Sequence, residues 1–255
     1  MLSDRLAPLR DELAIWRDAG LFLPLWWRDD DAVAHTPALE RLIELASRFD
    51  APLYLAVVPG LAQADLGQGL TAAQNVRVIP HGWLHQNHAP PSEKKAEFGA
   101  HRPLDVMRDE VKRGWRRIQR LFGQRSAPIF APPWNRACPE LINGLGECEL
   151  SAVSLFRPRQ TQYAAPGVLE INTHIDPLAW RSGGGLVDPE ELSARIADQL
   201  NARRQGNADN SEPYGLLTHH LVHDEPVWEF VSVLVETLLQ SGVAKWTPPL
   251  QVKLS

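Results

Sequence analysis

The stretch Leu23-Pro24-Leu25-Trp26-Trp27-Arg28-Asp29-Asp30-Asp31 decides how this chain is read. An apolar run with strand character feeds directly into three adjacent carboxylates. Like charges at a strand end repel one another and resist desolvation, and they persist most easily with a cation seated on them. About fifty residues later a second apolar run ends in His81-Gly82-Trp83-Leu84-His85. A carboxylate with His-x-x-x-His is a ligand set for a borderline metal such as zinc. On a helical turn, the i, i+4 spacing of His81 and His85 points both rings the same way. A neighbouring aspartate is then free to act as a base near the metal.

Working outward, strand and helix patterns alternate along the chain. Strands are expected at 23–27, 53–58, 76–79, 128–131, 152–156, 168–171, 214–218 and 243–246. Amphipathic helices are expected at 3–19, 36–49, 103–122, 139–146, 188–204 and 226–240. The pattern argues for one α/β domain over residues 1–255, a distorted (β/α) barrel with about seven parallel strands. Each polar cluster (29–31, 81–88, 132–135 and 219–220) follows a strand. In a parallel barrel those ends share one face, which carries the active site.

The bulk properties exclude several classes. A net charge of −5 gives no footprint for nucleic acid or an anionic membrane. The two cysteines, Cys138 and Cys148, are expected as reduced thiols. The start of the chain lacks the basic and apolar regions of a signal peptide, and no apolar run reaches about 18 residues. A cytoplasmic, non-membrane protein is therefore expected. Of nine tryptophans, Trp27, Trp83, Trp134 and Trp180 stand beside polar motifs. Their rings can stack on a sugar or fill the core.

Taken together, these motifs resemble the polysaccharide deacetylase family, also called the NodB homology or carbohydrate esterase 4 family. Asp30-Asp31-Ala32 resembles its first motif, which implies Asp30 as catalytic base and Asp31 as metal ligand. His81 and His85 resemble its histidine pair, implying the other two ligands. Ala131-Pro132-Pro133-Trp134-Asn135 looks like the wall of the groove, and Leu217-Thr218-His219 looks like the strand end bearing the catalytic acid, with His220 the next candidate. Asp176 and Trp180 loosely match a supporting pair. The resemblance implies a divalent metal, zinc first, and removal of an acetyl or similar acyl group from an amino sugar or related amide. Trp83, Pro133, Trp134, Asn135, His174, Trp180 and His220 are then the expected substrate-binding residues, with a structural role the alternative for His174.

Three departures stand out. Ala131 replaces an arginine that orients the base in the family pattern, Asp29 replaces an apolar residue, and Gly82 replaces a small hydroxyl residue. Losing such a support commonly costs 10–100-fold in affinity or activity. The alternatives are therefore an impaired metal- and carbohydrate-binding pseudoenzyme, or a small-molecule amidohydrolase of the same fold. Asp29 and Ala131 are expected to belong to one rearranged support of the site.

Overall fold

The computed structural model describes residues 2–251; Met1 and residues 252–255 of the expected domain lie outside the described residues. After α1 (Ala7–Asp18) the chain runs β1 (Leu23–Ala32), α2 (Pro37–Arg48), β2 (Leu53–Val57), α3 (Ala64–Gly69), β3 (Val76–Pro80) and α4 (Leu104–Phe122). It continues through β4 (Ile129–Phe130), α5 (Pro139–Asn143), β5 (Ala152–Val153), β6 (Tyr163–Ala165) and β7 (Val168–Glu170). It closes with α6 (Pro189–Arg204), β8 (Tyr214–Thr218), α7 (Glu225–Gln240) and β9 (Ala244–Trp246).

Hydrophobic β1 is the central strand. β2 and β8 pair with it in parallel, β3 follows β2, and β9 adds along its first three residues. A second sheet runs β4, β5, β7 in parallel, with β6 antiparallel at its edge. Backbone bonds join the two sheets. Ala127 N and Ala131 N donate to Val78 O and Pro80 O, and Leu217 N donates to Ile175 O. The parallel strands β1, β2, β3, β4, β5, β7 and β8 thus close a distorted barrel, as expected from the alternation. The β6–β7 hairpin and α3 were not legible: β6 is half exposed, and α3 spans only 6 residues.

Two-residue alternation divides β1 between two cores. Leu25 and Trp27 join the large cluster between barrel and helices. Trp26 joins a second cluster with Tyr54, Ala56, Ile79, Ile129, Ala131, Ala152 and Ile171. These residues come from strands all round the barrel and fill its interior. Small residues make room for the indole. A Cβ on Gly215 would lie 2.4 Å from Trp26 Nε1 and 2.6 Å from Asn172 O, the oxygen that accepts the indole N–H. Helix ends follow local chemistry. Thr36, Asp188 and Asp224 cap α2, α6 and α7 through their side-chain oxygens, each just before a proline-containing first turn. Cys138 and Cys148 are buried free thiols. Among the described residues, no helix is long and apolar enough to cross a membrane.

Gly215→Ala should destabilise the protein by about 1–3 kcal/mol through overpacking against Trp26. Urea unfolding compared with wild type measures this, and an unchanged midpoint would contradict the packing account.

Candidate metal centre and active site

β1 delivers the aspartates through a bulge. Asp29 pairs with Leu55 and Ala32 with Val57, so Asp30 and Asp31 together face Ala56. Asp31 takes a left-handed φ of 74°. An extra residue re-aims side chains at a strand end. Strict alternation would send Asp31 the way of Asp29; the bulge instead turns it toward the two histidines.

His81 continues the line of β3, its N–H bonding Val57 O. Its Nδ1 lies 2.9 Å from Ala131 O. A carbonyl only accepts, so Nδ1 carries the proton and Nε2 faces the cluster. The segment between His81 and His85 is an irregular loop and not the helical turn expected from the spacing. Positive φ values of 65° at Gly82 and 55° at His85 bend it tightly enough to bring both rings together. A non-glycine residue held in that region costs on the order of 1–3 kcal/mol. Asp31 Oδ1 is 3.1 Å from His81 Nε2 and 3.2 Å from His85 Nε2. These are the three residues, among those described, whose ligand atoms cluster closely enough to hold a metal ion.

The donor chemistry fits a cation. With its proton on Nδ1, a neutral His81 presents a lone pair to a carboxylate oxygen, so a proton or a metal must stand between them. Burial opposes ionisation of Asp31, but bonding to His81 and His85 outweighs it and holds the carboxyl far below its usual range. Burial also disfavours His81 charging, yet Asp30 and Asp31 raise its pKa overall.

Arg28 resolves the first departure in the sequence. The expectation that the site lacks an orienting arginine is corrected. Arg28 points into the barrel two residues before Asp30, fully buried, with Nε 2.9 Å from Asp30 Oδ1. Nη2 donates to Asp30 Oδ2 at 3.0 Å and to Asn135 Oδ1 at 2.5 Å. Nη1 donates to Ser154 O and Oγ. Alternation along β1 was the signal that could have found it. Ala131 lines the interior that Arg28 enters, and its carbonyl serves His81.

Asp29 does not share that support, which corrects the expected pairing with Ala131. It is fully buried and accepts from Thr218 Oγ1, His220 N and His220 Nδ1, the last at 2.5 Å. Burial opposes its charge, but His220 overcomes this and holds the Asp29 carboxyl low. His220, also resisted by burial, is raised by Asp29. His220 is therefore a buried partner of Asp29.

His219 stands with Nε2 4.0 Å from Asp30 Oδ2. Trp180 meets its ring edge-on at 4.8 Å and donates Nε1–H to Asp176 Oδ2 at 2.8 Å. Burial raises the Asp176 carboxyl, against the pull of His219. The loosely matched Asp176 and Trp180 thus gather beside His219. On the other side, Trp134 packs its ring 4.4 Å from that of His85. Trp134 and Asn135 both take left-handed φ, near 55°.

Other expected substrate contacts fall elsewhere. Trp83 turns toward α4, where the Arg113 guanidinium lies 4.9 Å from its ring centre. Pro133 is buried against Gly82. His174 is buried on another network: Nε2 is 3.1 Å from Glu212 Oε2 and 3.0 Å from Arg203 Nη2, and Nδ1 accepts from Gly215 N. Burial lowers its pKa, leaving a neutral structural histidine. Following a strand was a misleading signal there.

No protein-family model matches the sequence, and no curated protein matches it. Solved structures do. A family 4 carbohydrate esterase from Streptomyces lividans, in complex with acetate, is 12% identical with a TM-score of 0.56, over 91% of this chain and 96% of that one. The fold is that of the family 4 carbohydrate esterases. A family 4 acetyl xylan esterase from Clostridium thermocellum, in complex with cobalt, is 14% identical with a TM-score of 0.54, over 89% of each chain. A pseudoenzyme of carbohydrate esterase family 4 from Bacillus anthracis is 16% identical with a TM-score of 0.56, over 90% of this chain and 66% of that one. On this carbohydrate-esterase fold, the cluster of Asp31, His81 and His85 constitutes a site suited to a divalent metal.

Purified protein should bind about one divalent ion per chain, and Asp31→Ala or His81→Ala should abolish it. Protons compete at His81, whose pKa is raised, so apparent affinity should climb with pH and level off above that pKa. Metal titrations from pH 5.5 to 8.5 test this; undiminished binding in both variants would refute the ligand set.

Proposed function

We propose that this protein is a metal-dependent hydrolase that removes an acyl group, acetyl first, from the nitrogen of an amino sugar or a related amide. The observation that carries the reading is the buried Arg28–Asp30 pair beside the Asp31, His81 and His85 cluster, with His219 facing Asp30. A divalent ion held by those three ligands, zinc by preference, would polarise the acyl carbonyl and acidify the attacking water.

The protein's own groups supply the rest. Asp30 takes the proton of the attacking water. Arg28 fixes that carboxylate from behind, so its free lone pairs face the reacting atoms. The Asn135 N–H is committed to Pro132 O, which leaves the Trp134 N–H as the backbone donor to the developing oxyanion. Amide cleavage needs a proton on the departing nitrogen, and His219, held beside Trp180 and Asp176, provides it. The products are acetate and a free amine. Exposed Trp180 and half-buried Trp134 offer aromatic faces to a sugar ring.

The resemblance to family 4 esterases supports the reaction class, since members are described with acetate and as deacetylases. The second reading is an impaired binding protein. Its motive was the arginine absent at Ala131, and the Arg28 contact with Asp30 weighs against it.

Asp30→Asn should keep metal stoichiometry and lower acetate release from N-acetylated amino sugars by about 10²–10⁴-fold. Coupled acetate assays on metal-loaded protein measure it; wild-type turnover in Asp30→Asn would remove Asp30 from the mechanism.

A further inference from the structure

We propose that Glu97 is the positioning residue for the two histidines of the metal site, acting through the backbone of the loop between them. The inference rests on the metal-dependent reading above.

Glu97 lies in the long connection between β3 and α4, twelve residues beyond His85. Its side chain is nevertheless 1% exposed. A buried carboxylate is costly unless its oxygens are bonded. Here Oε2 accepts from Trp83 N at 3.1 Å and Oε1 accepts from Leu84 N at 2.7 Å. These are two of the three amides between His81 and His85, and among the described residues neither has a backbone acceptor. Backbone amides seek partners, and this one carboxylate supplies an acceptor to both. Among the described residues no Lys or Arg forms an ion pair with it. Its charge is spent on the loop.

Gly82 is the other half of the arrangement. A Cβ at this position would lie 2.1 Å from Glu97 Oε2 and 2.6 Å from Pro133 Cδ. Only glycine lets the carboxylate reach under the loop, and its φ of 65° suits glycine as well. The hydroxyl residue missing after His81 and the buried Glu97 are thus one substitution of means.

Glu97 is itself held firmly. Arg102 Nη1 donates to its carbonyl at 2.9 Å. The next residue, Phe98, is fully buried and accepts through its backbone oxygen from Cys138 N. Asn87 Oδ1 accepts from Ala89 N and Ala96 N and fixes the intervening loop. The carboxylate therefore ties the histidine loop to the segment that follows the Trp134 wall. Release of Trp83 N and Leu84 N would let His85 leave its left-handed backbone conformation and swing its imidazole away from Asp31.

The test uses the full chain, with zinc and cobalt as probes in calorimetric titrations. Glu97→Ala should weaken metal binding by about 10–100-fold, and Glu97→Gln, which keeps shape and one acceptor, should fall between it and wild type. Glu93→Gln on the same loop should bind as wild type does. Wild-type affinity in both Glu97 variants would overturn the proposal, as would lower thermal stability of the metal-free protein with unaltered affinity. Hydrogen exchange at the Trp83 and Leu84 amides in metal-free protein provides a readout independent of metal. Faster exchange in Glu97→Ala is expected, and unchanged protection would overturn the proposal. If wild type itself binds no metal, the metal-dependent reading fails, and this exchange measurement still decides whether Glu97 holds the loop.

Discussion

A guanidinium buried inside a barrel, bound to the carboxylate two residues along its own strand, is the constraint on which the rest of the site depends. Arg28 reaches Asp30 with two nitrogens, Ser154 just after β5 with a third, and Asn135 in the turn after β4. One side chain thus spans the barrel and ties three strand ends together. Removing either partner from such a pair leaves an uncompensated charge and commonly costs about 3–5 kcal/mol. Small side chains at Ala131 and Ala152 line the interior it occupies. The barrel's small inner residues and its buried charge are therefore one packing solution.

The three aspartates divide by direction. Asp30 follows the strand's alternation inward to Arg28. The bulge swings Asp31 to the histidines. Asp29 faces the other way and binds His220 and Thr218, and Trp27 Nε1 donates to the same Thr218 hydroxyl. A run of like charges that seemed to demand one cation is served by three separate partners, only one of them a site for metal. The partners of Asp29 and Asp31 hold both carboxyls low despite their burial.

Much of the barrel was legible because parallel strands buried on both faces read as apolar runs, and polar residues gathered where they ended. The aspartate cluster, His81 and His85 could be grouped on chemistry alone, whereas singling out Asp31 rested on the family resemblance. Arg28 was missed because a charged residue beside an aspartate cluster reads as part of the loop, whereas the strand continues through it to Ala32. Glu97 was missed because it sits in a polar connection, and sequence carries no sign that its carboxylate turns back beneath the histidines. The helical reading of His81 to His85 failed at Gly82, whose left-handed backbone no spacing rule anticipates. His174 misled because Glu212 and Arg203, the residues that satisfy it, lie far along the chain.

The packed interior has a further consequence. Trp26, Tyr54, Ile79 and Ile129 plug the barrel, with Arg28 and Asp30 further along the same inward face of β1. The fold is a blind well and not a tunnel. Solvent reaching Arg28 and Asp30 must cross the rim where Trp134 and Trp180 stand. A ligand seated on that rim would cork the well, so its arrival and its departure would set when solvent can enter.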